Sequence, residues 1–354
     1  KTSVKLAKNN EYNGESSVSP SSVTFYINND DSEVADKMNS VTYDVAFLSS
    51  SQFSSIENKK DLNSVAVQNV TYSFIFNQND NNYRNKNMRL AFCRSCDTSS
   101  LFDSQSDISK ADGIVPPSCK IGGEDYRNGN AAELLSYDET LAKKNFNDAL
   151  LELGSSSVET TILCTEQYEP FVKQMVQKLQ KTLGVKFVST VKVVSESDLE
   201  AAVNDGNYSV AFYPFKAKSS FAGEIIEVFD QNNIFGYESD VLSQKIRNIK
   251  NNSGSLEGER SAVADAENYL VSEAVIMPVF YENSYFVTSK KTSGIYFYSS
   301  ADNVCFINAK KSSETVFKMK NKYGVSQKIC IAISWTLTVA LMVAIFCMSS
   351  QVSS

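Results

Sequence analysis

The sequence predicts an α/β protein that ends in one membrane-spanning helix, and three observations predict it. Strand, helix, strand, helix and strand follow one another in about 55 residues from Thr160 to Tyr213, the signature of crossover connections within an α/β layer. At the centre of that run, Phe171, Val172, Met175, Val176, Leu179 and Leu183 share one helical face between Pro170 near the start and Gly184 at the end. Near the C-terminus, the run from Ile329 to Met348 carries no charge and is as long as a helix needs to be to cross a hydrocarbon core of roughly 30 Å.

Taken in order, Val23 to Ile27 reads as a strand between a Ser/Pro cluster and the turn-forming Asn28 to Asp31, and Ser32 to Met38 as a short helix. Tyr43 to Leu48 and Val70 to Asn77 alternate as strands, and an amphipathic stretch runs from Arg84 to Phe92. Asp97 is placed to cap a following helix through Leu101 and Phe102. Gly113 to Ser118 is expected to be extended, because residues before proline avoid the helical region. A helix from Asp138 to Leu153 stops at Gly154, and the strand Thr160 to Cys164 follows.

After the helix Glu169 to Leu183 come a strand from Val185 to Val194, a helix capped by Ser197 and running to Val203, and a strand from Tyr208 to Tyr213. Glu238 to Ile249 and Glu259 to Ser272 read as helices, Ala274 to Phe280 as a buried strand and Tyr285 to Thr288 as another.

Composition narrows the function. Apolar residues make up 42% and aromatics 11%, so the body can bury real cores. The net charge of −7 and the lack of a concentrated basic surface argue against nucleic acid as a partner. No histidine is present, which excludes Ser-His-Asp and Cys-His catalysis and histidine-type zinc sites. Among 41 acidic residues no catalytic pair stands out, so no enzyme and no cofactor are expected. Cys93 and Cys96 form a C-x-x-C without a second pair to complete a metal set; it reads as a local disulfide or two ordinary buried thiols, ahead of a redox or metal role. Lys1 to Lys8 has none of the apolar character of a signal peptide.

The segments resemble those of the extracellular solute-binding proteins of family 5, the peptide-, nickel- and sugar-binding receptors of ABC importers. Leu6-Ala7-Lys8-Asn9-Asn10-Glu11-Tyr12 is similar to the family's "hydrophobic, x, Arg/Lys, Asn, x, x, Tyr" stretch, and Tyr43-Asp44-Val45-Ala46 to one of its strands. The strand Tyr72 to Asn77, with Met88-Arg89-Leu90-Ala91-Phe92, Asp97 and Gly113-Ile114-Val115-Pro116-Pro117, follows the same order. So do Leu141 to Lys144 with Leu150 to Gly154, then Leu183-Gly184-Val185, Tyr208 to Ala211, Ala266 to Leu270 and Ile276 to Tyr281.

The resemblance implies a periplasmic-binding-protein-like two-lobed fold (type II, family 5), incomplete at its N-terminus. It divides the body into part of lobe I (1–90), lobe III (91–283) and a return to lobe I (284–310), to which the charge and hydropathy pattern adds a basic stalk (311–328), the transmembrane helix (329–348) and a tail (349–354). With the apolar run as anchor, the resemblance implies a membrane-anchored extracellular receptor that closes two lobes on a peptide or similar small solute and docks on ABC permease subunits. The alternative is a surface-anchored interaction or sensor module that keeps the fold without transport.

Residue-level matching places Asn77, Gln78, Tyr213, Phe215, Lys218 and Glu282 as ligand-binding candidates. Here Phe215 stands where peptide-binding members have Trp, and Lys218 at or near their Asp for the ligand's α-amino group; a cation there repels an ammonium. Structural roles compete for each: a turn for Asn77, the core for Phe215, solvent for Lys218 and Glu282. Lys318, Lys320, Lys322 and Lys328 ahead of the apolar run would by charge alone put the body in the cytoplasm, whereas the resemblance puts it outside.

Overall fold

The computed structural model describes residues 2–12, 18–27, 31–98, 101–102, 106–298 and 303–312. The apolar run Ile329–Met348, nearly all of the basic stalk and the tail lie outside the described residues, among which no helix is long and apolar enough to cross a membrane.

The first part of the chain builds a small sheet. β1 (Thr2–Ala7) and β2 (Ser22–Ile27) pair as an antiparallel ribbon. α1 (Asp31–Asn39) leads into β3 (Val45–Ser49), α2 (Ser50–Ser55) and β4 (Leu62–Val67). Ser49 and Gln52 form a reciprocal capping box, which fixes the abrupt change from β3 to α2. β3 and β4 flank a strand from late in the chain, Ser284–Ser289, and pack Leu48, Leu62 and Val287 on Met38 and Ile56.

The chain then crosses at Gln68 and Asn69 into a larger layer. Its elements are β5 (Val70–Phe76), α3 (Asn81–Arg84), α4 (Lys86–Ser95), β6 (Ile108–Lys110), β7 (Lys120–Ile121), β8 (Glu124–Asp125), α5 (Glu139–Leu153) and β9 (Val158–Thr165). They continue as α6 (Glu169–Leu183), β10 (Phe187–Val194), α7 (Glu196–Asn204), β11 (Val210–Lys216), α8 (Gly223–Glu227), α9 (Asp240–Asn251), α10 (Leu256–Ser272) and β12 (Ile276–Glu282). Asn283 alone then returns the chain to the small sheet as β13 (Ser284–Ser289).

Six strands form the larger sheet in the order β10-β9-β11-β5-β12-β6. Both of its faces are covered, as near-continuous apolar strands require. Phe74, Phe76, Phe212 and Phe280 face α4, α5 and α6 on one side, while Ile75, Ala211 and Ile276 face α7, α9 and α10 on the other. β5, grouped by sequence with the first segment of the chain, is thus a central strand of the larger layer.

The α6 range matches its reading from sequence residue for residue, and Gly154 adopts the left-handed conformation (φ 63°) that stops α5. Three local expectations change. Asp97 caps no helix: Leu101 and Phe102 are in a bend, and the next element is the edge strand β6. Ser195, two residues before the expected Ser197, caps α7, because it is the residue in extended geometry (φ −68°, ψ 162°) whose hydroxyl accepts from Asp198 N. Gly113 to Ser118 is bent, since Ile114 and Val115 both turn their N–H groups onto Glu267 Oε1, whereas neighbouring N–H groups of a strand point opposite ways.

Candidate functional site

Strand direction locates the site. β9, β10 and β11 run parallel, β5 opposes β11, and β12 opposes β5, so the carboxyl ends Thr165, Val194, Lys216 and Glu282 share one edge of the sheet. The connection from β9 to β10 passes through α6 on one face, and that from β10 to β11 through α7 on the other. The strand order therefore reverses between β9 and β11, and in an open α/β sheet the crevice expected beyond the carboxyl ends at such a switch point is the usual ligand position. The turn Glu166–Tyr168 and the segment Ala217–Lys218 flank that crevice.

Both chain crossings to the small sheet lie at the same edge, tied by side chains. Gln68 Nε2 donates to Asn283 Oδ1 (2.8 Å) and to Ser109 Oγ (3.0 Å), and Ser109 Oγ donates to Asn283 Oδ1 (3.0 Å). Asn283 N donates to Asp107 O (2.7 Å), and Asp107 Oδ1 accepts from Ser51 N in the first turn of α2 (2.5 Å). The joint between the sheets thus combines two crossings with a third, non-covalent bridge from the β6 segment to α2.

Beside this joint, Tyr168 OH donates to Glu282 Oε1 (3.2 Å), and Gln167 Nε2 donates to Tyr168 OH (3.2 Å). The rings of Tyr72 and Tyr168 lie 4.3 Å apart, backed by Phe212 and Phe280. Burial and then the Glu282 charge hold the Tyr72 proton, and burial, Tyr72 and Glu282 hold that of Tyr168. This edge therefore offers neutral phenols and a carboxylate, suited to non-covalent contact.

Not all the sequence-derived candidates meet here. Tyr213 and Phe215 lie on one face of β11, where Phe215 (5% exposed) packs on Phe229, Phe235 and Tyr213; it is a core residue. Lys218, just beyond β11, is exposed, and Glu282 ends β12, so both stand at the crevice edge. Asn77 and Gln78 lie at the opposite end of the sheet, some 20 Å away along β5 at about 3.4 Å per residue. There Asn77 Nδ2 donates to Gly206 O (2.9 Å) and Tyr208 O (2.8 Å), Asn77 Oδ1 accepts from Asn79 N, and Gln78 N donates to Phe235 O. Asn77 holds the start of β11.

Tyr168, Tyr72 and the Gln68–Ser109–Asn283 triangle carried no local signal in the sequence. Nor did the buried pair behind β12, where Arg127 forms a two-pronged contact with Glu267. Tyr126 OH donates to Glu267 Oε2 (3.0 Å), and Tyr281 OH accepts from Asp112 N (3.1 Å), pinning the 112–130 segment to α10 and β12. Among the described residues no group of three or more Cys, Asp or Glu is placed to hold a metal.

Known proteins share this architecture. The family model for bacterial extracellular solute-binding proteins, family 5 Middle, matches residues 1–234. The dipeptide-binding protein DppE of Bacillus subtilis (strain 168) is 24% identical over 232 residues, covering 63% of this chain and 42% of its own. Among solved structures, the substrate-binding domain of an oligopeptide ABC transporter from Bacillus anthracis str. Ames superposes with a TM-score of 0.70 at 16% identity, covering 87% of this chain and 62% of that one. Listeria monocytogenes OppA bound to peptide gives 0.69 at 18% identity, with 88% and 62% covered. The chain thus spans less than two thirds of the length of these relatives, and the solved structures establish a shared two-lobed α/β fold.

Proposed function

The chain belongs to the bacterial extracellular solute-binding proteins of family 5, and on that premise we propose that it captures a peptide or similar small solute between two lobes as the binding component of an ABC importer. The family is one of binding proteins, and no chemistry on the ligand is proposed. The observation that carries the reading is the position of the switch-point crevice: the carboxyl ends of β9, β11 and β12 abut the joint made by Gln68, Ser109 and Asn283. A solute held there contacts the larger layer directly and meets the small one when the joint bends.

In this reading 70–282 is lobe III, and the segments up to Asn69 and from Asn283 onward belong to lobe I. The matched relatives are longer than this chain, and Phe25, Phe47 and Val65, each more than 40% exposed on the small sheets, give the lobe I segments an apolar surface. The apolar run Ile329–Met348, by its length and lack of charge, anchors the chain in a membrane with the body outside the cell, where the closed form docks on permease subunits. Protease treatment of intact cells tests the topology, since a cytoplasmic body survives it.

Calorimetry with tri-alanine on the full chain tests the function. Saturable heat is expected, and its absence across short peptides and sugars would count against capture. A second reading, an interaction or sensor module without transport, is favoured by the resemblance, which puts Lys218, exposed beyond β11, at or near the carboxylate of peptide-binding members. Such a module shows no solute heat yet remains at the cell surface.

A further inference from the structure

Cys93 and Cys96 take no part in the proposed binding role. Both are free, 2% and 5% exposed, with Cys93 in the last turn of α4 and Cys96 at its C-cap. Cys96 has left helical geometry (φ −96°, ψ 103°), so the spacing of the two sulfurs is not fixed by a helix turn. Both line one cavity of about 220 Å³, with Lys110, Leu135, Tyr137 and Val279 among its walls.

The cavity has a structural cause. β6 pairs with β12 only at Phe280, Tyr281 and Glu282, and Ala111 N still donates to Val279 O (3.1 Å), so from Ile276 to Pro278 the irregular segment 131–138 lines the edge instead of a strand. That segment is held near its ends by Ala132 N to Asp112 O (2.7 Å) and Asp138 N to Arg94 O (3.0 Å). The two thiols therefore border a space into which their side chains can turn, behind a strap without regular structure.

We propose that Cys93 and Cys96 are a modification site for small-molecule disulfides of the cystamine or glutathione class, reducing the reagent to two thiols as they close to a disulfide. One protein thiolate attacks a sulfur of the reagent, whose S–S bond breaks and releases the first thiol. The second protein sulfur attacks the resulting mixed disulfide and releases the second thiol. The protein gives up two electrons and two protons, and the reagent takes both. Burial pushes the Cys93 thiol up to about 12 and moves Cys96 the same way, so the reaction is slow at neutral pH and quickens as pH rises.

The test is independent of solute binding. The full chain is treated with cystamine at mildly alkaline pH, quenched with acid, denatured, alkylated and cut with trypsin. The peptides on either side of Arg94 are expected as one linked species that separates with dithiothreitol, and the intact chain is about 2 Da lighter. Cys93→Ser should instead leave Cys96 carrying a lasting mixed disulfide with cysteamine, the half of the reagent that is not released. Recovery of Cys93 and Cys96 both alkylated, or each joined to some other cysteine, overturns the proposal, provided the treated chain keeps its far-ultraviolet circular dichroism. The wild-type map decides the matter even where a variant fails to fold.

Discussion

Gln68 Nε2 donates to Asn283 Oδ1 at 2.8 Å, joining two positions 215 residues apart in sequence, each of which carries the chain between the two sheets. Because Asn283 alone separates β12 from β13, its side chain decides how firmly the crossings are held together. Asn283→Ala removes the acceptor shared by Gln68 and Ser109 and the donor to Ser106 O. A stability loss of about 1–3 kcal/mol is expected in urea unfolding. Small-angle scattering should also show a broader distribution of interlobe distances. An unchanged midpoint and profile would mean that the crossings are held by backbone alone.

Glu267 is 1% exposed and is the carboxylate paired with the Arg127 guanidinium. Glu267→Ala strands that cation and frees the N–H groups of Ile114 and Val115, so a loss of about 3–5 kcal/mol is expected. Adding Arg127→Met should recover part of it, because an apolar side chain needs no counter-charge. Denaturant unfolding of the four members of the cycle checks this; additive losses would contradict direct coupling.

The legible and illegible parts of this chain divide by sequence distance. α6 could be read to the residue because its stripe, Pro170 and Gly184 all lie within one window. The β9 to β11 run was legible as crossover units for the same reason. The Arg127–Glu267 and Gln68–Asn283 contacts bridge 140 and 215 residues, and no local periodicity reports them. The position of Asn77 could not be read because a strand's sequence does not reveal its direction: β5 runs against β11, which sends its Asn-terminated end away from the joint.

Tyr83 and Tyr126 are fully buried, and burial, ahead of their neighbours' charges, raises both phenols above their ordinary range. A folded-state pKa above the unfolded value of about 10 means that the folded chain holds these protons more tightly than the unfolded one. Their contribution to stability is therefore intact below pH ~10 and declines as pH rises past it. Alkaline titration followed by tyrosinate absorbance should show two populations, the second ionising only as circular dichroism is lost. A single smooth titration in a folded chain would refute this assignment.

Asn77 and Lys218 separate a structural role from a ligand role. Asn77→Ala loses both bonds that hold the start of β11 and should cost about 1–3 kcal/mol in unfolding, with solute affinity unchanged once the chain is folded. Lys218 is exposed beyond β11 at the crevice, so its substitution should leave stability nearly untouched. Reversing its charge with Lys218→Asp places an acceptor for an ammonium at this edge of the sheet. Calorimetry on the full chain should show tri-alanine gaining about tenfold in affinity over N-acetyl-tri-alanine, equivalent to about 1.4 kcal/mol. The gain should shrink in high salt, as an exposed charge pair requires. If the ratio of the two peptides stays fixed in Lys218→Asp, the α-amino group is held elsewhere, and Glu282, at the same edge beside Tyr168, becomes the carboxylate to replace next.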